Sequence, residues 1–175
     1  MARPTEGEYG AFYQGYIDQV SGEDVISVLE ESLLPLEAFL KSLENTDISH
    51  TYAPGKWTIG QLLQHVIDTE RIFAYRALCI GRGEKQPLPG FDENTYADEA
   101  PATKRKIKGI TKEILTLRKA SIMLFRSLKK EKAISRTGTA SEKTISVNAI
   151  GFIIVGHVLH HINILKERYL NGSTI

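Results

Sequence analysis

With 175 residues, 42% of them hydrophobic and 25% charged, the chain has the length and composition of one globular domain over 1–175 rather than of a disordered tail. Its 22 basic and 21 acidic residues leave a formal net charge of +1, which gives no electrostatic reason to expect a nucleic acid or an anionic membrane as partner. The one cysteine, Cys79, excludes an intrachain disulfide and suits a reducing, cytoplasmic setting.

The N-terminal stretch has no apolar core segment of the kind a signal peptide needs. Residues 1–22 read as an arm, with Phe12, Tyr13, Tyr16 and Ile17 packing onto the rest. Ser21 and Asp24 have capping-box spacing and open a first helix. Leu29, Leu33, Leu36, Leu40 and Leu43 then recur at steps of three and four, which is one apolar helix face. Pro35 lies inside that pattern and should kink the helix or divide it in two, because it removes a backbone donor. After a connection over 45–57, Thr58 and Gln61 form a second capping box. Ile59, Leu62, Leu63, Val66, Ile67 and Phe73 make the core face of this second helix, and Gly81 and Gly83 stop it. Cys79 falls in its apolar stretch and reads as a small buried hydrophobe.

Residues 81–102 read as a long irregular link, since Pro87, Pro89 and Gly90 argue against a helix. A third helix is expected over about 103–130, with Ile107, Ile110, Ile114, Leu117, Leu124 and Leu128 at heptad-like spacing. Lys104, Arg105 and Lys106 in its first turn read as a solvated face, with an anion patch as the alternative. Residues 131–146 are polar, with Thr137-Gly138-Thr139 as a turn signal. A fourth helix is expected over 147–169, apolar nearly all round in its first half and so the most buried, with Asn171-Gly172 ending it. Its apolar run at 150–155 is too short to span a bilayer. Four amphipathic helices without strand-like alternation make an all-α four-helix bundle.

The chemistry-bearing residues are histidines. His157 and His161 are four apart and share one helix face, with Cβ atoms about 5–6 Å apart, so two imidazoles can reach one ion. A structural pair of core histidines has the same spacing. His65 favours the metal: it lies on the second helix about 10 Å below its start, and His161 lies about 12 Å from the end of the fourth. Those depths agree if the two helices are antiparallel. The link after the second helix is long enough to cross the bundle, which gives up-down-down-up topology with helices two and three parallel. Three imidazoles leave coordination positions open for water or a thiolate, the plan of a reactive site. His160, turned about 100° from its neighbours, takes a supporting role, and His50 lies in a solvated connection.

The chain resembles the DinB family in three places. One is Pro54-Gly55-Lys56-Trp57-Thr58 leading into His65 and Asp68-Thr69-Glu70-Arg71. Another is Pro87-Leu88-Pro89-Gly90-Phe91-Asp92-Glu93-Asn94. The third is Gly156-His157 through His161 to Lys166-Glu167-Arg168-Tyr169. The resemblance implies the same bundle, His65, His157 and His161 as a metal triad, and zinc, nickel or iron as the ion. It also implies S-transfer or isomerisation with bacillithiol, mycothiol or glutathione-like thiols, and homodimers. Asn163 stands where iron-dependent sulfoxide synthases with a related domain carry a Glu, so that chemistry is not expected.

Two classes of function follow. The first is a metal-dependent enzyme, a thiol S-transferase joining a small thiol to an electrophile or a hydrolase. The second is a non-catalytic metal-binding or stress-response interaction protein. Asp68, one turn from His65, is the candidate for orienting a ligand or taking a proton, or else a solvated partner of Arg71 or Arg76. Trp57 either walls a pocket or packs in the core.

Overall fold

The computed structural model describes residues 2–100, 102–130 and 132–170. A 3-10 turn, Ala11–Tyr13, and the short α1, Gln14–Ile17, form the arm. Ile17 is buried, whereas Phe12 is 78% exposed and does not pack into the core. The first long helix begins at Asp24, whose carboxylate accepts from the Ile26 and Ser27 amides at 3.1 and 3.3 Å. The expected box opening at Ser21 is corrected: Gly22 has φ +104°, a left-handed conformation no α-helix contains.

That helix is divided, as its proline implied. α2 spans Val25–Glu31 and α3 Leu33–Ser42. The lapse falls one turn before Pro35, because the amide that Pro35 lacks is the one that would bond the Glu31 carbonyl. Thr58 then opens α4, Ile59–Gly81, with both arms of the box formed: the Gln61 amide donates to Thr58 Oγ1 at 3.1 Å and the Thr58 amide to Gln61 Oε1 at 2.9 Å.

The link after α4 departs from expectation. Its prolines hold only the stretch before Asp92 extended. Asp92 accepts from the Thr95 amide at 2.7 Å and caps α5, Glu93–Glu99. A 3-10 turn, Ala102–Lys104, leads to α6, Ile107–Lys130, which starts later than expected. Of the basic residues before it, Lys104 and Lys106 are exposed as a solvated face, whereas the Arg105 guanidinium is braced internally, reaching Gln64 at 2.5 Å and also Glu113.

The chain is not free of strands. β1, Thr137–Ala140, and β2, Lys143–Ser146, pair antiparallel with Thr137 opposite Ser146. The turn is Ser141-Glu142, both at positive φ (49° and 62°), and not Thr137-Gly138-Thr139. Gly138 serves close approach instead: a Cβ there would stand 2.7 Å from Ile80 Cγ1. Ser146 caps α7, Val147–Ile164, by accepting from the Ala149 amide at 2.9 Å, and a π-helical turn, Leu165–Tyr169, follows. The expected stop at Asn171-Gly172 lies outside the described residues.

Side-chain pairs fix the helix directions. Gln64 meets Arg105, Arg71 meets Glu113 and Glu70 meets Arg118, so α4 and α6 run parallel. Asp24 pairs with Lys129 and Glu30 with Arg126, so α2 opposes α6. The Tyr169 hydroxyl donates to the Trp57 carbonyl at 2.7 Å while His65 meets His157, so α4 opposes the final helix. The topology is up-down-down-up, a four-helix bundle as expected.

Ile110, Ile114 and Leu128 of the heptad-like stripe are buried in the bundle's own core. Val147–Tyr169 is long and apolar enough to cross a membrane, contrary to the shorter run read from sequence, but 78% of its apolar window is buried against the other helices. α7 packs closely because it carries glycine at two contacts. A Cβ at Gly151 would meet Val25 at 2.2 Å, and one at Gly156 the Tyr16 carbonyl at 2.0 Å.

Candidate metal centre

α4 and α7 bring His65, His157 and His161 together. His157 Nε2 stands 3.0 Å from His65 Nε2 and 3.0 Å from His161 Nε2. His157 and His161 are buried at 5% and 8% exposure, and His65 is half-buried. This is the one group of three or more metal-ligating side chains among the described residues.

The donor set can be tested for a cation on valence. Each neutral imidazole nitrogen either carries one proton or offers one in-plane lone pair. His157 Nε2 therefore makes one good hydrogen bond, and its second 3.0 Å neighbour is left facing it without one. A cation accepts all three lone pairs at once. Two nitrogens at about 2.1 Å from one ion, with a near right angle between them, stand about 3 Å apart. The residues present fit a divalent metal.

Electrostatics agree. Burial pushes the His65 imidazole down to about 4, with the Glu93 carboxylate working weakly against it. Burial, then the nearby His65 and His160, push His161 down to about 3. Burial and the neighbouring histidines hold His157 well below the usual range. All three are thus neutral at pH 7, the form that ligates.

The surroundings form an open cavity of about 280 Å3. The Tyr16 ring packs edge-on to His157 with centroids 5.5 Å apart, and Trp57 lies 5.0 Å from the His65 ring. Trp57 does both things considered for it, lining the cavity and packing half-buried against the core. Thr69, one turn after His65 on the same face, sets its Oγ1 3.4 Å from His65 Nδ1. His161 Nδ1 is buried without a hydrogen-bond partner among the described residues. His160 packs on Tyr16 beside the triad, and His50 is exposed. A larger cavity of about 340 Å3 between α3 and α7 is lined chiefly by apolar residues such as Leu36, Phe39 and Val158.

Asp68 is not brought to the triad's cavity. It accepts from Gln64 Nε2 at 2.9 Å, lies 3.5 Å from Arg71, and lines a separate open depression with Arg105 and Tyr96. Arg76 is not its partner. The carboxylate that lines the histidine cavity is Glu93, at the start of α5. Sequence reasoning missed it, although it lies in the quoted Pro-rich segment. Thr69 was legible from its i+4 spacing to His65.

A profile of the DinB superfamily matches residues 29–165. The chain is 24% identical over 163 residues to a protein of Oceanobacillus iheyensis, covering 89% of this chain and 93% of that one. It is 26% identical over 166 residues to a protein of Bacillus pumilus, covering 94% and 89%. Both relatives are named "Putative metal-dependent hydrolase". The solved structure of YfiT from Bacillus subtilis is described as a probable metal-dependent hydrolase with an unusual four-helix bundle topology. It matches with a TM-score of 0.72 at 19% identity, over 96% of this chain and 91% of that chain. That last likeness is one of fold. With the family match running from α2 to the end of α7, the protein belongs to the DinB superfamily.

Proposed function

We propose that the protein is a metal-dependent hydrolase of small molecules, working in a reducing cytoplasm, with His65, His157 and His161 holding one zinc, nickel or iron ion. The observation that carries this is the convergence of three neutral ring nitrogens at 3.0 Å contacts on the wall of an open cavity, with no fourth protein ligand in the cluster among the described residues. A divalent cation bound there supplies Lewis acidity and acidifies water. The chain's own residues do the rest. Burial keeps the imidazoles unprotonated, Thr69 orients His65, and Trp57 and Tyr16 wall the reacting centre. Glu93, the carboxylate in the same cavity, is the candidate proton acceptor in place of Asp68. Asp68 is held by Gln64 and Arg71 outside that cavity and takes no part in the reaction.

The same open face takes a thiolate, so transfer of a small thiol to an electrophile is the second reading. The names of the relatives favour hydrolysis. The test is elemental analysis of protein purified without a metal-affinity tag, followed by turnover of p-nitrophenyl esters, and of a thiol with chlorodinitrobenzene, with and without chelator. One metal per chain and ester hydrolysis lost on chelation and in His157→Ala support the proposal. Thiol-dependent turnover alone moves the assignment to transferase, and stoichiometric metal without any turnover moves it to a binding protein.

A further inference from the structure

The stripe of α4 that carries His65 continues along the cavity. Positions 65, 69, 73 and 76 follow at steps of four, four and three, so all four side chains share one face, and all four line the cavity. The last is Arg76. It is buried at 2% exposure, and its guanidinium lies 5.4 Å from the centroid of the Phe73 ring. One Nη donates to the Pro89 carbonyl and to Ser141 Oγ, each at 2.8 Å. The Tyr13 phenol is the further polar neighbour. No described carboxylate forms an ion pair with it.

The other buried arginine shows what a structural guanidinium looks like in this fold. Arg118, wholly buried, is bonded by the Glu70 carboxylate at both oxygens, at 2.9 and 3.0 Å. Its charge is neutralised where it lies. Arg76 has the burial without the countercharge, and burial lowers its pKa accordingly. Holding a carbonyl and a hydroxyl needs donors but no charge, and a buried cation without a countercharge is costly to keep. The planar fork of an arginine fits a carboxylate or phosphate.

We propose that the cavity binds an organic oxyanion, with Arg76 pairing with a carboxylate or phosphate at one end of the substrate. Phe73, above which the guanidinium lies, is eight residues along α4 from His65, so the anionic group and the histidines are about 12 Å apart. Between them the walls are aromatic, Phe12, Tyr13, Tyr16 and Phe73, and they take the apolar body of the molecule. The reacting end of this assignment rests on the proposed hydrolase. The anion site does not.

Trp57 is the single tryptophan and lines the cavity, so its fluorescence reports occupancy. The probes are 4-phenylbutyrate and 4-phenylbutanol, alike in length and aromatic body, differing in charge, and neither hydrolysable. Each is titrated into the full chain, metal-free and metal-loaded. The expected result is a preference of about tenfold for the carboxylate in both forms, falling with added salt. Arg76→Gln should remove the preference and leave phenylbutanol binding unchanged. Equal binding of the two probes by the wild type overturns the proposal. So does a preference that survives in Arg76→Gln, or one confined to the metal-loaded form, which puts the carboxylate on the ion. Should Arg76→Gln not fold, Arg76→Lys decides: the retained charge must keep a reduced preference, and a folded Lys variant indifferent to charge overturns the assignment. Anion preference without ester hydrolysis sinks the hydrolase alone, and the converse sinks only the anion site.

Discussion

Replacing Glu70 with leucine would test how the parallel pair α4 and α6 is held. The substitution removes a carboxylate that is 3% exposed and receives Arg118 Nε at 2.9 Å, Arg118 Nη at 3.0 Å and the Ser121 hydroxyl at 2.9 Å. Arg118 would be left wholly buried, with Ser32 Oγ at 2.5 Å as its remaining partner. Stripping one member of a buried pair costs about 3–5 kcal/mol, against roughly 5–15 kcal/mol for a whole domain. At about 2–4 °C per kcal/mol for a chain of this size, Glu70→Leu should melt roughly 6–20 °C lower. The double variant Glu70→Leu with Arg118→Met buries no charge and should recover most of the loss. Urea unfolding followed by circular dichroism gives all four corners of the cycle. A single-variant cost below about 1 kcal/mol, or two single costs that simply add in the double variant, would refute the argument from buried charge.

Metal-free protein should lose stability as pH falls from about 6.5 towards 4, and show little change above 7. The folded chain holds His65 near 4 and His161 near 3, whereas the unfolded chain takes up those protons near 6.5. His65 alone accounts for about 3 kcal/mol by pH 4, and a urea midpoint flat across that window would contradict it. Gly156→Ala puts a methyl 2.0 Å from the Tyr16 carbonyl and should cost about 3 kcal/mol in a thermal melt. Gly15→Ala, with nothing within 4 Å, should stay within about 0.5 kcal/mol. Glu142→Gly relieves a φ of 62° in the hairpin turn and should raise stability by about 0.5–1 kcal/mol, read from the same melts.

What was legible in the sequence was whatever a helix period carries. Thr58 and Gln61 announce the start of α4, and counting from there gives the depth at which His65 meets the pair on α7. The topology followed from matching those depths. What periodicity does not carry was missed. The hairpin strands are four residues each, and Gly138 lies within one to admit Ile80, so it passed for a turn. α5 hides behind prolines that stop short of its Asp92 cap. Glu93 takes its place from the path of the crossing link over the cavity, and neighbouring residues do not encode that path. Asp68 has the spacing of a residue that supports His65, but its side chain is committed to Gln64 and Arg71.

The ligands at the centre lie far apart in the order of synthesis. His65 precedes His157 by 92 residues. At about 5–20 residues per second, a ribosome separates the two by roughly 5–20 s. Through that interval His65 is a lone imidazole on a helix with no α7 to cover it, and one nitrogen holds an ion weakly. The parallel run of α4 and α6 lengthens the wait, since their contact needs the whole crossing link to be made first. Any ion therefore arrives after α7 has docked, as cargo for a finished scaffold rather than as a seed for its folding. Metal supply would then limit how much of the protein is loaded, and the ion, once bound, adds its binding free energy to a fold already formed.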